Sequence, residues 1–224
     1  MSGNTKQNKK SVKELANEKS QRIMDGVGYW AAFYRENPQR FVKDYLGVNL
    51  KLFQKFLIYA MIHNTHFMFW AARSIGKTWL VALFCVVRCI LFPQTKICVA
   101  SATRTQGNEV LSKIEDDFMK NYGQGSENLR REISYHSVGQ NKAVIEFRNG
   151  SWIKVVTASD SGRGNRANIL VLDEFRMIDK NVIQTVLKRF LGSPRQPVYL
   201  TLPEYKDRED LLETNIEMYM SSAW

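Results

Sequence analysis

The chain has 224 residues, 44% of them hydrophobic, and a formal net charge of +10 at pH 7. That is enough apolar material for one large domain with a real core, and the charge favours a polyanionic partner. The first 22 residues are polar and Lys-rich without an apolar stretch, so no signal peptide is expected. Cys85, Cys89 and Cys98 form no Cys-x-x-Cys pair and stand in apolar contexts, as reduced, buried thiols do.

In chain order, residues 1–27 carry Lys6, Lys9, Lys10, Lys13, Lys19 and Arg22 and are expected to form a flexible basic tail, either a solvated leader or a nucleic-acid arm. Residues 28–46 read as a short helical preamble whose Trp30, Phe33, Tyr34, Phe41 and Tyr45 are spaced to face a core. A helix over 50–62 repeats Leu52, Phe53, Phe56, Leu57, Tyr59 and Ala60 at helical intervals and carries Gln54. A strand over 66–71 follows. An apolar helix over 79–92 reads as buried on all sides despite Arg88, and is too short to span a membrane; Pro93 stops it. His63 and His66, three apart, are a weak metal pair without a third ligand nearby.

Further on, 95–100 reads as a buried strand, 101–107 as a polar loop and 109–122 as an amphipathic helix ended by Gly123. The stretch 123–140 is loosely patterned and expected to be mobile. Segments 142–147 and 152–157 flank Arg-Asn-Gly-Ser, a strong hairpin signal. A Gly/Arg/Asn loop over 159–168, a strand over 169–172, a helix over 180–191, a turn over 192–197 and a strand over 198–202 complete the pattern. Buried strands alternating with helices predict an α/β fold: a mostly parallel sheet flanked by helices, with the hairpin as the departure.

The chemistry concentrates in two places. Residues 71–78 read Ala-Ala-Arg-Ser-Ile-Gly-Lys-Thr, a phosphate-loop pattern with Ala for the opening Gly, set between an apolar strand and an apolar helix. Such a loop supplies backbone N–H groups, from Ser74, Ile75, Gly76 and Lys77, to phosphate oxygens. Lys77 adds an ammonium and Thr78 a hydroxyl for Mg²⁺. Arg73, inside the loop, can reach the γ-phosphate. About a hundred residues later Ile-Leu-Val-Leu-Asp-Glu ends a buried strand in two carboxylates. Asp173 would hold Mg²⁺ and Glu174 would activate water as general base. ATP and Mg²⁺ are therefore the expected ligands, and hydrolysis the expected reaction.

Four other residues are candidates. Arg163 and Arg166 precede the Asp-Glu strand on a Gly-rich loop and suit an arginine finger reaching a neighbouring subunit, or a DNA phosphate contact; Arg163 is favoured as the finger. Gln54 can read an adenine edge, or be an ordinary surface Gln. Arg104, in Ala-Ser-Ala-Thr-Arg-Thr-Gln, could grip a phosphate backbone, while Thr103 or Thr105 caps the following helix.

With these residues in hand, the chain resembles the ATPase domain of the large terminase subunit, the DNA-packaging motor of tailed bacteriophages, over roughly residues 40–224. The resemblance rests on the loop with its in-loop arginine, Ala-Ser-Ala-Thr-Arg-Thr-Gln, Gly-Arg-Gly-x-x-Arg-Ala before Leu-Val-Leu-Asp-Glu-Phe, and the final Met-Ser-Ser-Ala-Trp. It implies a P-loop NTPase of the additional-strand, catalytic-glutamate (RecA/terminase-like) class spanning 28–224. It implies an adenine-contacting role for Gln54, a trans-acting role for Arg163, and a coupling motif at Ser221, Ser222 and Ala223. It further implies a homo-oligomeric ring, a pentamer in the family, around double-stranded DNA. Portal and small-terminase partners follow, as does location in the host cytoplasm and transiently at the procapsid portal, without a membrane. Family members continue into a nuclease domain, so an ATPase portion truncated before it is expected. A helicase-like nucleic-acid-dependent ATPase and a non-hydrolysing nucleotide-binding DNA scaffold are the alternatives.

Overall fold

A computed structural model describes residues 12–139, 142–157, 166–203, 205 and 208–223. The chain divides into two compact units, Met1–Glu36 and Asn37–Trp224. Within the first, helix α1 (Val12–Glu36) accounts for the described residues, so the expected tail is helical from Val12 onward. Its Trp30 and Phe33 each meet Tyr34 edge-on, at 5.0 and 5.1 Å.

The second unit opens with α2 (Pro38–Asp44) and α3 (Leu52–His63). Pro38 sits at the first helical position, where its missing N–H costs nothing. Of the aromatic residues expected to face a core from 28–46, Phe41 is fully buried and stacks on Tyr45 at 5.0 Å, whereas Trp30 and Phe33 are exposed. Helix α3 also departs from expectation. Its core face is Ile58, Met61 and Ile62, and Leu52, Phe53, Phe56 and Tyr59 lie exposed.

Seven strands form one sheet: β1 (His66–Ala71), β2 (Lys96–Ala100), β3 (Ile133–Val138), β4 (Ala143–Phe147), β5 (Trp152–Val156), β6 (Ile169–Asp173) and β7 (Ile216–Ser222). Their order is β1-β7-β6-β2-β5-β4-β3. The pairs from β1 through β5 are parallel, and β4 is antiparallel to both β5 and β3. The α/β class with a mostly parallel sheet flanked by helices, read from the sequence, is therefore the fold. Strand β7 enters between β1 and β6, so that one strand separates the carboxylate strand from the strand that feeds the phosphate loop. Edge strand β1 is half-open, its residues alternating between exposed and half-buried.

Parallel strands need helices on both faces. On one face, α4 (Lys77–Leu91) is buried almost throughout, and α5 (Arg104–Lys113) continues into a π-helical turn, Ile114–Phe118. A Cβ at Gly107 of α5 would come within 2.5 Å of the Val155 side chain, so only glycine permits this approach to β5. On the other face, Cys98, Ala100, Leu170 and Leu172 pack with Ile183, Leu187 and Phe190. The latter three lie on α7 (Lys180–Thr185) and a following 3₁₀ turn, Leu187–Phe190, in place of one helix over 180–191.

Two further expectations are corrected. The supposedly mobile stretch 123–140 holds α6 (Gln124–Glu132) and β3, anchored by buried Leu129 and Ile133. The strand expected over 198–202 is a 3₁₀ turn, Val198–Thr201. Val198 and Leu202 are exposed there, between Pro197 and Pro203, and the sheet position is filled by β7.

Arg88, the charge inside the apolar helix, is paired. Its Nη2 lies 3.4 Å from Glu213 Oε2, and Glu213 also accepts two hydrogen bonds from buried Arg195, one from Nε at 2.8 Å. Arg195 Nη1 donates to Pro93 O at 3.1 Å. This cluster fastens the connection into β7 onto α4. Removing one member of a buried ion cluster leaves uncompensated charge, a loss of about 3–5 kcal/mol. Glu213→Ala is expected to lower stability by that order in urea unfolding, with the slope of the transition unchanged.

Candidate active site

Strands β1, β2, β6 and β7 all end on one edge of the sheet, and the segments leaving them converge there. That carboxyl edge is where open α/β sheets bind ligands. From β1, the chain turns through Ser74 (φ 65°) and Gly76 (φ 87°) into α4. Gly76 is the helix N-cap in the left-handed region, which a residue without Cβ adopts without strain. The amide-rich N-terminus of α4 thereby faces the loop's own concavity. A cavity of about 490 Å³ is lined there by Arg73, Ser74, Gly76, Lys77, Thr78, Trp79, Glu109, Lys113, Glu174 and Ser222.

Lys77 is buried, and its ammonium donates to the carbonyls of Ala71 and Ala72 at 3.4 and 3.2 Å. Glu174, directly after β6, holds a left-handed backbone (φ 49°, ψ 47°). For a residue with a Cβ this costs roughly 1–2 kcal/mol. Its carboxylate is held in compensation: Oε2 accepts from Ser221 Oγ at 3.1 Å and from the Ser222 amide at 2.9 Å, and Oε1 accepts from Ser222 Oγ at 2.5 Å. Partial burial alone would raise its pKa. The Ser222 hydroxyl and amide, the Ser221 hydroxyl and the Lys77 charge outweigh this and hold Glu174 below its ordinary value.

Asp173 is pushed the other way, to about 6, first by burial and then by the neighbouring charges of Glu174 and Glu109. Its Oδ1 is buried and lacks a hydrogen-bond partner among the described residues. A buried carboxylate oxygen that lacks a partner among the described residues, close enough to Lys77 to feel its charge, fits a divalent cation. Mg²⁺ at nucleotide sites takes one or two protein ligands plus phosphate and water. The lack, among the described residues, of a group of three His, Cys, Asp or Glu side chains placed to hold a metal is therefore no obstacle.

The structure thus gathers Arg73, Ser74, Gly76, Lys77, Thr78, Glu174 and Ser222 around one cavity. Ile75 is in the same loop and exposed, and Ser221 reaches Glu174. Ala223 extends the β7 edge, its amide donating to Ala71 O at 2.9 Å. Gln54 does not line the cavity; its Oε1 accepts from the Lys51 amide at 2.9 Å, satisfying the N–H of the N-cap residue of α3. Arg104 opens α5, where Thr103 is the cap, accepting from Gln106 N at 3.3 Å. Arg166 lies before β6, at the opposite end of the sheet, beside Lys96, Asn168 and Arg195. Arg163 falls outside the described residues. Trp79, Glu109 and Lys113 were missed by sequence reasoning. Glu109 and Lys113, four apart on α5, carried a helical-spacing signal but no hint of which sheet edge they would reach.

The family described as "Terminase large subunit, T4likevirus-type, N-terminal" matches residues 68–209, more than half of the chain. The chain belongs to this terminase large-subunit family. Two solved structures share its fold. The large terminase ATPase domain of Thermus phage P74-26 aligns with a TM-score of 0.50 at 14% identity, covering 81% of this chain and 84% of that one. The large terminase of bacteriophage HK97 aligns with a TM-score of 0.51 at 16% identity, covering 78% of this chain. The chain spans 33% of the HK97 protein. No curated protein matches it by sequence.

Because Asp173 is protonated more readily in the folded state than unfolded, its contribution favours folding at low pH and is lost as pH rises from about 4 through about 6. The loss is on the order of 3 kcal/mol. Asp173→Asn in this terminase domain is expected to remove that decline, so that melting temperatures of variant and parent diverge between about pH 4 and about pH 6 and stay apart by a constant amount above it. Added Mg²⁺ and nucleotide should restore the parent and leave the variant unmoved.

Proposed function

We propose that this terminase domain hydrolyses ATP to drive double-stranded DNA into a procapsid. The observation that carries this reading is the approach of Glu174 to the phosphate loop, in one cavity with Lys77 and Thr78, while the seryl pair at the end of β7 grips its carboxylate.

The amides of Ser74–Lys77 and the N-terminus of α4 bind the β- and γ-phosphate oxygens, and Lys77 neutralises their charge. Thr78 and Asp173 are the residues that would hold Mg²⁺, which supplies further neutralisation of the phosphates when bound. Glu174 orients the attacking water and takes its proton on a carboxylate oxygen. Three hydrogen bonds weaken it as a base, so the Ser221–Ser222 contacts must loosen for it to act. This supports a proposed position for the end of β7 in the path between chemistry and movement, the coupling role the family resemblance gives to Ser221, Ser222 and Ala223. Arg73 acts on the γ-phosphate of its own site.

Arg163 is the proposed trans-acting finger, with its target in a neighbouring subunit of a ring. Gln54 remains a proposed adenine contact, which would need the Lys51 capping bond to open. Arg104 and Arg166 are proposed contacts to the DNA backbone. The net charge of +10 supports a grip that is electrostatic and indifferent to sequence, as a motor that regrips any base pair requires. Portal and small-terminase partners, and action in the host cytoplasm at the procapsid, follow from the same reading. Among the described residues no helix is long and apolar enough to cross a membrane.

Glu174→Gln is expected to keep ATP affinity while turnover falls by about 10²–10⁴-fold, whereas Lys77→Ala loses both. Turnover of wild-type protein should rise faster than linearly with protein concentration, because a neighbour completes the site. Full activity in the Glu174 variant would remove this carboxylate from the mechanism, and strictly linear turnover would remove the neighbour.

A further inference from the structure

The carbonyl oxygen of Ser222 receives two donors that the mechanism above does not use. Trp70 Nε1 donates to it at 2.9 Å and Arg176 Nη1 at 3.3 Å. The two donors also touch each other, the Arg176 guanidinium lying 4.8 Å from the centre of the Trp70 ring. Phe175 meets that ring edge-on at 6.5 Å and Tyr219 at 5.6 Å, so the arrangement bridges β1, the segment after β6, and β7.

Their places in the chain are informative. Trp70 is the penultimate residue of β1, just ahead of the phosphate loop, and Arg176 lies two residues beyond Glu174. Trp70 is 53% exposed, so core packing does not account for it. The Ser222 carbonyl and the Ala223 amide belong to one planar peptide. Ala223 N donates to Ala71 O at 2.9 Å, so this peptide is held by β1 on one side and by Arg176 on the other. Both lone pairs of the carbonyl are taken. With that plane fixed, Ser222 has little freedom to swing the amide and hydroxyl that it presents to Glu174.

We infer that Trp70 and Arg176 are positioning residues for Glu174, acting through their shared hydrogen bonds to the Ser222 carbonyl. They hold the seryl pair, and the seryl pair aims the carboxylate at the phosphate loop. Because Trp70 adjoins the loop, a shift of the loop on nucleotide binding is carried directly to the Ser222 peptide. The inference rests on the ATPase reading for its catalytic half; the tether itself does not depend on it.

Trp70→Phe keeps a ring and removes the N–H, Arg176→Met removes the cation, and Arg176→Lys keeps a donor. In steady-state ATPase assays, Trp70→Phe and Arg176→Met should each lower kcat by about 10- to 100-fold, the cost of a misaimed group. KM should stay within about twofold and Arg176→Lys should recover most of the rate. Losses in the Trp70→Phe, Arg176→Met double variant should fall short of additive, since both act on one carbonyl. Amide hydrogen exchange at Ser222 and Ala223 should accelerate in both single variants while β6 stays protected, a readout independent of turnover. Unchanged exchange would overturn the tether, whatever the kinetics. Faster exchange with unchanged kcat, or kcat and KM changing together with a lowered melting temperature, would overturn the positioning role. Wild-type protein that binds ATP without turning it over would count against the ATPase reading, and exchange would still decide the tether.

Discussion

The contact on which the site depends is the one between Glu174 and the last two residues of β7. It joins the end of the carboxylate strand to the strand inserted between it and β1, and it offsets the strained backbone of Glu174. Everything around it serves to bring those two strand ends level. The parallel register sets Asp173 opposite Met220 and Ala71 opposite Ser222, so the loop after β1, the glutamate after β6 and the serines of β7 emerge on the same edge. The Arg88–Glu213–Arg195 cluster fastens the start of β7 at the other end. Strand β7 is thus pinned at its entry and hydrogen-bonded to the Glu174 carboxylate at its exit.

What the sequence reveals follows from what is local. The phosphate loop is contiguous, and its flanking strand and helix are written in short apolar runs, so β1, the loop and α4 are legible directly. The hairpin is legible because Asn149-Gly150 states its turn: Gly150 takes φ 82°, and Asn149 ties the turn back to the Cys89 carbonyl at 2.7 Å. Asp173 and Glu174 are legible because a four-residue apolar run ends in them. The strand that completes the sheet is not. Residues 198–202 have an equally apolar composition, and nothing within either segment says which one will find a slot between β1 and β6. The serines at 221 and 222 were singled out by resemblance to a family, and their grip on Glu174 arises from pairing across 47 and 48 residues of chain.

Surface and core are likewise confused by periodicity alone. Helix α3 has apolar residues on most of its circumference, so its pattern gives no unique inward face, and Ile58, Met61 and Ile62 win because they abut neighbouring helices. Gln54 has the right chemistry for an adenine edge, yet local geometry offers it a nearer partner in the Lys51 amide. Glu109 and Lys113 reach the cavity from α5, which crosses close to β5 at Gly107, a distance no sequence window contains, while Trp79 reaches it from the first turn of α4.

Two adjacent carboxylates of the site stand in opposite environments. Asp173 lacks a partner at one oxygen among the described residues and is made harder to ionise by burial and then by its acidic neighbours, a state that a divalent cation would relieve. Glu174 is more open, richly hydrogen-bonded and easier to ionise, a state suited to waiting as a carboxylate beside phosphate. In the proposed mechanism, exchanging their surroundings would leave the metal ligand satisfied by serines and the base too buried to meet water. The left-handed turn at Glu174 is what separates them: it ends β6 after Asp173 and sends the next side chain toward β7, so that one step along the chain becomes a change of environment.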